Sequence, residues 1–202
     1  GFETYQKILN EAITELKEAE PVTQTTETPL KTEQPAKKQS KTYVTDFQID
    51  TDLEIMFPDE YVSNIPERIR LYKELNEISN EEALQIFVNK LTDRFGPLPP
   101  PAADLVDIVR IKWSAIRLGI EKILLKNDLL IANFISDPGS QFYKSELFIS
   151  IMNYVGRKHG QMSVKQKESK LSLTVKDIRS VRSAIQVLNS ILQGIGNLNY
   201  SP

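Results

Sequence analysis

The chain has 202 residues, of which 40% are hydrophobic and 26% charged, a composition typical of soluble globular proteins. It contains no cysteine, which excludes disulfides, thiol catalysis and thiolate metal sites, and no apolar run approaches the roughly 20 residues needed to span a bilayer. The net charge of −2 predicts no general affinity for DNA, and because no signal-peptide pattern opens the chain we expect a cytoplasmic protein.

The N-terminal part is predicted to be a helix followed by a tether. Residues 1–19 place apolar side chains on one helical face, at Tyr5, Ile8, Leu9, Ala12, Ile13 and Leu16. From 20 to 42 this pattern vanishes, and three prolines punctuate a stretch of Thr, Gln, Glu and Lys that cannot bury enough apolar surface to offset its ordering entropy. We therefore predict a flexible linker at 20–42, a compact domain at 43–202, and a first helix that belongs to something else.

The compact part opens with extended segments and then three helices. Phe47, Ile49, Leu53 and Ile55 predict one or two strands. Asn64 is a good N-cap for a helix that carries Ile65, Ile69, Tyr72, Leu75 and Ile78 on one side. The capping box Ser79–Glu82 predicts a second helix that buries Leu84, Phe87, Val88, Leu91 and Phe95. A third, at 101–118, is apolar around much of its circumference and is expected to be the central core helix.

After Gly119 the period changes to that of strands. Short apolar runs at 122–125 and 128–135 flank a predicted turn at Lys126-Asn127, and a helix is expected at 140–158. Met162 with Val164, and then 171–175, alternate with polar residues, as strands do. The last helix is predicted at 177–193, ended by Gly194 and Gly196. The fold class is α+β: a small antiparallel sheet covered by several helices.

Between the second and third helices lies the run Asp93-Arg94-Phe95-Gly96-Pro97-Leu98-Pro99-Pro100-Pro101. Gly96 can adopt the positive φ that ends a helix, and a proline at a helix start loses no needed hydrogen bond. The charged pair Asp93 and Arg94 is thereby held at a fixed corner between the two helices. We interpret this corner as a candidate recognition surface.

Catalytic motifs are missing from the sequence. It contains no phosphate-binding loop, dinucleotide fingerprint or nucleophile elbow, and its single histidine, His159, follows a lysine at a predicted helix end. Neighbouring carboxylates occur in turns and first helical turns, where capping alone favours them. We expect no enzymatic activity and no bound cofactor or metal in this chain.

A basic stretch at 157–182 is open to two interpretations. It contains Arg157, Lys158, Lys165, Lys167, Lys170, Lys176, Arg179 and Arg182. The functional reading is phosphate contact by Lys165, Lys167 and Lys170, which would make the chain a nucleic-acid-binding module. The other is a solvated hairpin whose edge is protected by lysines, and it is favoured because Tyr154 is the only nearby aromatic residue.

Several segments together resemble one family, the transcription-repair coupling factors (Mfd). Gly1-Phe2-Glu3-x-Tyr5 with its amphipathic helix resembles the end of that family's helicase-type motor. After the linker come Pro58-Asp59-Glu60-Tyr61-Val62, the helix Glu67-Arg68-Ile69-Arg70-Leu71-Tyr72-Lys73, the corner from Asp93 to Pro99, and Lys112 with Leu118-Gly119-Ile120. Order and spacing match from residue 1 to about residue 125.

The resemblance implies a regulatory C-terminal (TRCF) domain of a large ATP-dependent DNA translocase that displaces stalled RNA polymerase and recruits the repair protein UvrA. In that family the terminal domain docks on the UvrA-binding module of the same polypeptide, masks it and restrains the motor. The ATP, the Mg and the double-stranded DNA belong to motor segments upstream of Gly1.

For this chain the resemblance points to a masking contact around Asp93, Arg94 and Lys90. Local pairing of Asp93 or Arg94 within the domain is the competing interpretation. Two positions depart from the family pattern: Lys90 stands where the family often has an acidic residue, and Asn64 stands where an Asp is usual.

Overall fold

The computed structural model describes residues 43–44, 46–158, 160–167 and 170–198. The helix predicted at 1–19 and the linker predicted at 20–42 lie outside the described residues, as does His159. The described residues belong to one compact unit, Thr42–Pro202.

The expected α+β class is confirmed. In chain order the elements are β1 (Gln48–Thr51), α1 (Ile65–Glu77), α2 (Glu81–Phe95), α3 (Pro100–Arg117), β2 (Ile120–Lys126), β3 (Leu129–Phe134), a 3-10 turn (Gln141–Lys144), α4 (Glu146–Arg157), β4 (Met162–Lys167), β5 (Lys170–Lys176) and α5 (Val181–Leu198). As expected, α3 is the core helix, and it packs against α5, α1 and β2.

The five strands form a mixed sheet in the order β1-β2-β3-β5-β4. Strands β2, β3, β5 and β4 are antiparallel neighbours, as predicted, whereas β1 runs parallel to β2. The parallel pair arises because three helices separate β1 from β2, and a long crossover of this kind allows the chain to return in the same direction.

Three predicted boundaries are corrected. The β2–β3 turn is centred on Asn127 and Asp128, whose φ of 53° and 58° suit the left-handed residues of a tight hairpin. The helix expected at 140–158 is divided, because the Ser145 side chain accepts a hydrogen bond from the Phe148 N–H and starts α4 there. The last helix begins only at Val181 and continues through Gly194 and Gly196.

The helix caps explain why α1 and α2 begin where they do. Asn64 accepts from the Glu67 N–H at 2.9 Å, as predicted. In α2 the cap is Asn80, which accepts from the Ala83 N–H at 2.8 Å, and not Ser79. The Asn80 side chain, one residue closer to the helix than Ser79, accepts the hydrogen bond from the first helical turn that the sequence assigns to Ser79.

Burial divides the sheet into two faces. Every fully buried residue of the described strands lies on the face that the helices cover: Ile49, Thr51, Ile120, Ile123, Leu125, Leu130, Ala132, Phe134, Met162, Leu173 and Val175. We call the opposite side the open face. Its residues are half-buried or exposed and are Gln48, Asp50, Lys122, Leu124, Lys126, Leu129, Ile131, Asn133, Ser163, Lys165, Lys167, Lys170, Ser172, Thr174 and Lys176.

Candidate interaction surfaces

The corner at the end of α2 is held by backbone and ring contacts. Gly96 has φ +87° and its N–H donates to the Thr92 carbonyl at 2.9 Å, so the glycine ends the helix as predicted. The Tyr61 hydroxyl donates to the Gly96 carbonyl at 2.9 Å, and its ring lies 5.8 Å from that of Phe95. Phe95 is only half-buried, because it packs at the edge of the corner instead of inside the core.

Two of the three residues of the predicted contact are paired within the domain. Arg94 donates from Nη1 to Glu67 Oε1 at 2.7 Å, and its guanidinium lies 4.9 Å above the Phe95 ring. Lys90 Nζ lies 3.6 Å from Glu74 Oε1. Both acids are on α1, so these pairs connect the exposed side of α2 to its neighbour.

Asp93 is different from its neighbours. It is exposed, and within the part of the chain that the structure describes its carboxylate has neither a hydrogen bond nor an ion pair. Ile86 lies two turns earlier on the same side of α2 and is 56% exposed, unlike the buried stripe of that helix. The corner therefore presents an unpaired carboxylate together with an exposed apolar side chain.

Sequence reasoning missed Ile86, Glu67 and Glu74. Ile86 was detectable, because it falls outside the helical stripe formed by Leu84, Phe87 and Leu91. The two acids of α1 were not, since nothing in the sequence sets the relative rotation of two adjacent helices.

A second ion-pair network fixes α2 against α3. Arg110 donates from Nε to both Glu81 carboxylate oxygens, at 3.1 and 3.0 Å, and from Nη1 to Asp107 at 2.6 Å. The hydrogen bond from Arg110 lowers the pKa of the Glu81 carboxyl against the opposing effect of burial. At Asp104 burial is the main effect and the nearby Asp107 carboxylate adds to it, so the pKa is raised.

The basic stretch at 157–182 does not form a single patch. Lys165, Lys167 and Lys170 are exposed and share the open face, because the β4–β5 register sets Lys165 opposite Ser172 and Lys167 opposite Lys170. Arg179 instead pairs with Asp128 at 3.2 Å. The charge of Arg182 partly offsets the rise in the pKa of the Asp104 carboxyl on α3, so Arg182 lies on the side of the sheet that the helices cover.

Two further observations apply to the described ranges. No three His, Cys, Asp or Glu side chains come together there in a group that could hold a metal ion. Likewise, none of the helices in those ranges is both long and apolar enough to cross a membrane.

Comparison with known proteins gives one family. The family model described as the TRCF domain matches residues 51–145, which begin at the last residue of β1 and include α1, α2, α3, the α2 corner and the β2–β3 hairpin. Residues 51–145 are therefore similar to the TRCF domain. The lysines of β4 and β5 lie beyond the matched residues.

Similar full-length proteins bear the corresponding name. The chain is 28% identical over 195 residues to the "Transcription-repair-coupling factor" of Rickettsia typhi, covering 96% of this chain and 15% of that protein. It is 29% identical over 125 residues to the protein of the same name from Escherichia coli K12, covering 61% of this chain and 9% of that protein. The chain thus spans a small part of the length of these relatives.

A solved structure confirms the fold of the TRCF domain. The crystal structure of the C-terminal domain of transcription-repair coupling factor superposes with a TM-score of 0.61 at 16% identity, over 79% of this chain and 98% of the other. The similarity extends beyond the family match, because the shared part is larger than residues 51–145.

Proposed function

We propose that this TRCF domain is a regulatory interaction module that docks on the UvrA-binding module of its own, longer polypeptide. Docking masks the surface that UvrA would use and restrains the DNA translocase until stalled RNA polymerase is engaged. The contact is made by the α2 corner around Asp93, with Arg94 and Lys90 at its edge.

The observation that carries the proposal is the unpaired Asp93 carboxylate. Its charged neighbours Lys90 and Arg94 are both engaged with α1, so Asp93 is the charge at this corner that is available to a partner. The exposed Ile86, two turns earlier on the same side of α2, supplies an apolar contact, and apolar area next to a polar rim is the usual anatomy of a protein interface. An exposed charge pair contributes only about 0–1 kcal/mol, so a contact of this kind can be reversed.

The remaining activities are proposed for the rest of the polypeptide. The chain corresponds to 15% of the Rickettsia typhi relative and carries no phosphate-binding loop motif. ATP with Mg, double-stranded DNA and RNA polymerase would therefore be bound by other parts of the full-length protein. The TRCF domain would act by binding alone, with no turnover and no cofactor of its own.

The test is calorimetric titration of the chain with the UvrA-binding module, with and without Asp93→Arg. We expect the substitution to weaken binding by about tenfold or more, because reversing the charge at the contact places like charges together. Glu54→Arg is the matched control, because Glu54 is also exposed, has no ion pair within the described residues and lies in the connection between β1 and α1. Binding that is absent, or equally affected by both substitutions, would refute the choice of surface.

The alternative function, a nucleic-acid-binding module, rests on Lys165, Lys167 and Lys170. These lysines are exposed on one face of the β4–β5 hairpin, in a geometry that could follow a phosphate backbone. A salt titration with duplex DNA tests it. A steep loss of affinity with salt that softens on replacing the three lysines would favour this function over masking.

A further inference from the structure

The open face of the sheet has an ordered pattern of side chains that the proposed function does not use. The strand register aligns its residues in rungs that run across the sheet. The central rung contains Asp50, Leu124, Ile131, Thr174 and Ser163. Leu124 and Ile131 are neighbours in the middle of this rung, and both are half-buried.

Lysines stand on both sides of this apolar centre. On one side, a rung that includes Asn133 and Ser172 carries Lys122 and Lys165. On the other side, Leu129 is flanked by Lys126 and Lys176. Lys167 and Lys170 lie opposite each other farther out, toward the end of the β4–β5 hairpin.

The face is strongly basic although the whole chain is slightly acidic. Asp50 is the only carboxylate among the register-paired residues of the described open face, and it is engaged with Lys126 at 2.7 Å. Glu121, at the β2 bulge, accepts hydrogen bonds from Ser136. Lys122, Lys165 and Lys176 form no ion pair with any described residue. Charge on this face is thus available for an acidic partner.

The spacing of the rungs defines the size of that partner. Adjacent rungs on one face are two residues apart, so the lysine rows lie about 13 Å from each other with the apolar centre between them. An α-helix with its side chains is about 10–12 Å across. Five strands span about 19 Å from first to last, which is about 13 residues of helix.

We propose that the open face binds an acidic amphipathic helix of a protein partner. The apolar side of that helix covers Leu124, Ile131 and Leu129, and its flanking carboxylates pair with the lysine rows. This surface is separate from the α2 corner.

A protein partner fits this face better than a nucleic acid does. A phosphate backbone would pair with the lysines but would gain nothing from the aliphatic strip between them. A single strand would need stacking platforms, and the open face, defined by the described strands, has no aromatic side chain. An apolar centre within a charged rim is instead the pattern of protein interfaces.

The experiment uses a designed helical peptide of about 18 residues, with Leu on one side, Glu on both flanks and Ala elsewhere. Its binding to the full chain is followed by fluorescence anisotropy. We expect the pair Lys165→Glu with Lys176→Glu to weaken binding by tenfold or more. Ile131→Thr, which keeps a β-branched side chain, should weaken it by about fourfold through lost apolar contact.

Three controls make the result decisive. Lys144→Glu with Lys158→Glu changes two exposed lysines outside the sheet and should leave binding unchanged. A version of the peptide with Lys on both flanks should not bind. A short duplex DNA is expected to bind more weakly than the acidic peptide.

Several outcomes would overturn the proposal. They are no binding of the acidic peptide, equal binding of the basic version, or tighter binding of duplex DNA that is indifferent to Ile131→Thr. Asp93→Arg should leave peptide binding unchanged, and the Lys165 and Lys176 substitutions should leave binding of the UvrA-binding module unchanged. Failure of one surface is therefore distinguishable from failure of the other.

Discussion

Gly194 shows how one residue sets the distance between two helices. The sequence suggests that this glycine ends the last helix, but α5 continues past it. A Cβ at Gly194 would overlap the ring of Tyr154 on α4, whereas a Cβ at Gly196, two residues later in the same helix, would meet nothing within 4 Å. Gly194 is therefore a packing residue, and Gly196 is not.

The two glycines make a matched pair for substitution. We expect Gly194→Ala to lower the free energy of unfolding by about 1–3 kcal/mol, because the added methyl group forces the Tyr154 ring to move. Gly196→Ala should be neutral or stabilising by up to about 1 kcal/mol, because alanine favours a helix over glycine. Urea unfolding of both variants measures the difference. Equal effects of the two substitutions would show that Tyr154 does not set the helix spacing.

At the scale of elements, the α1–α2–α3 layer is connected by ion pairs at both ends of α2. Lys90 and Arg94 reach α1, while Glu81 at the start of α2 receives hydrogen bonds from Arg110 of α3. These contacts hold the helix whose corner carries Asp93. The position of the proposed contact thus depends on pairs that the sequence does not reveal.

The Glu81–Arg110 pair predicts a pH effect of definite sign. Arg110 lowers the pKa of Glu81 in the folded state, so the pair stabilises the fold above the ordinary pKa of 4.5 and this contribution is lost as pH falls further. We expect Glu81→Gln to be less stable than the parent chain at pH 7, by at most about 1 kcal/mol because Glu81 is largely exposed. The difference should shrink below pH 4.5.

Glu82→Gln is the control, since Glu82 is in the same first turn, is exposed and has no ion pair within the described residues. It removes the same favourable charge at the helix start without touching Arg110. Asp104, whose raised pKa acts in the opposite direction, is present in all three proteins and cancels from the comparison. Equal pH profiles for the two variants would exclude a role for the pair.

At the scale of the whole molecule, two surfaces of opposite character occupy different layers. The α2 corner offers a carboxylate on the helical layer, and the open face offers lysines on the sheet. They share no residue. We therefore expect each surface to bind its proposed partner independently of the other.

Because the two surfaces are separate, we expect the effects of substitutions at the two surfaces to be additive. The effects of Asp93→Arg and Lys165→Glu on the free energy of unfolding should sum in the double variant to within about 0.5 kcal/mol, as for distant sites without shared partners. Each substitution should also affect only its own partner in binding measurements. Thermal and urea unfolding of the two single variants and the double variant test the sum, and a larger deviation would indicate that the two layers are coupled.

Much of the fold could be predicted from the sequence, because it depends on interactions between residues that are close in the chain. The Asn64 cap, the Gly96 helix end, the core position of α3 and the alternation in β5 all depend on residues close to each other in the chain. The predictions were wrong where two neighbouring residues could serve the same purpose. The helix cap was expected at Ser79 and is Asn80, and the turn was expected at Lys126-Asn127 and is centred on Asn127 and Asp128. The α2 corner was found because a helix end, a glycine and prolines occur together there.

The amino-acid sequence by itself determined the α+β class, most of the helices and strands, and the corner that carries Asp93. Tertiary structure alone decided that β1 runs parallel to β2, that Lys90 and Arg94 are paired with α1 while Asp93 is not, and that Lys122 joins Lys165 and Lys176 on one face. The physical reason is distance along the chain. Helix caps and periodicity are set by neighbours within a few residues, whereas strand register and helix rotation are fixed only when the whole core packs.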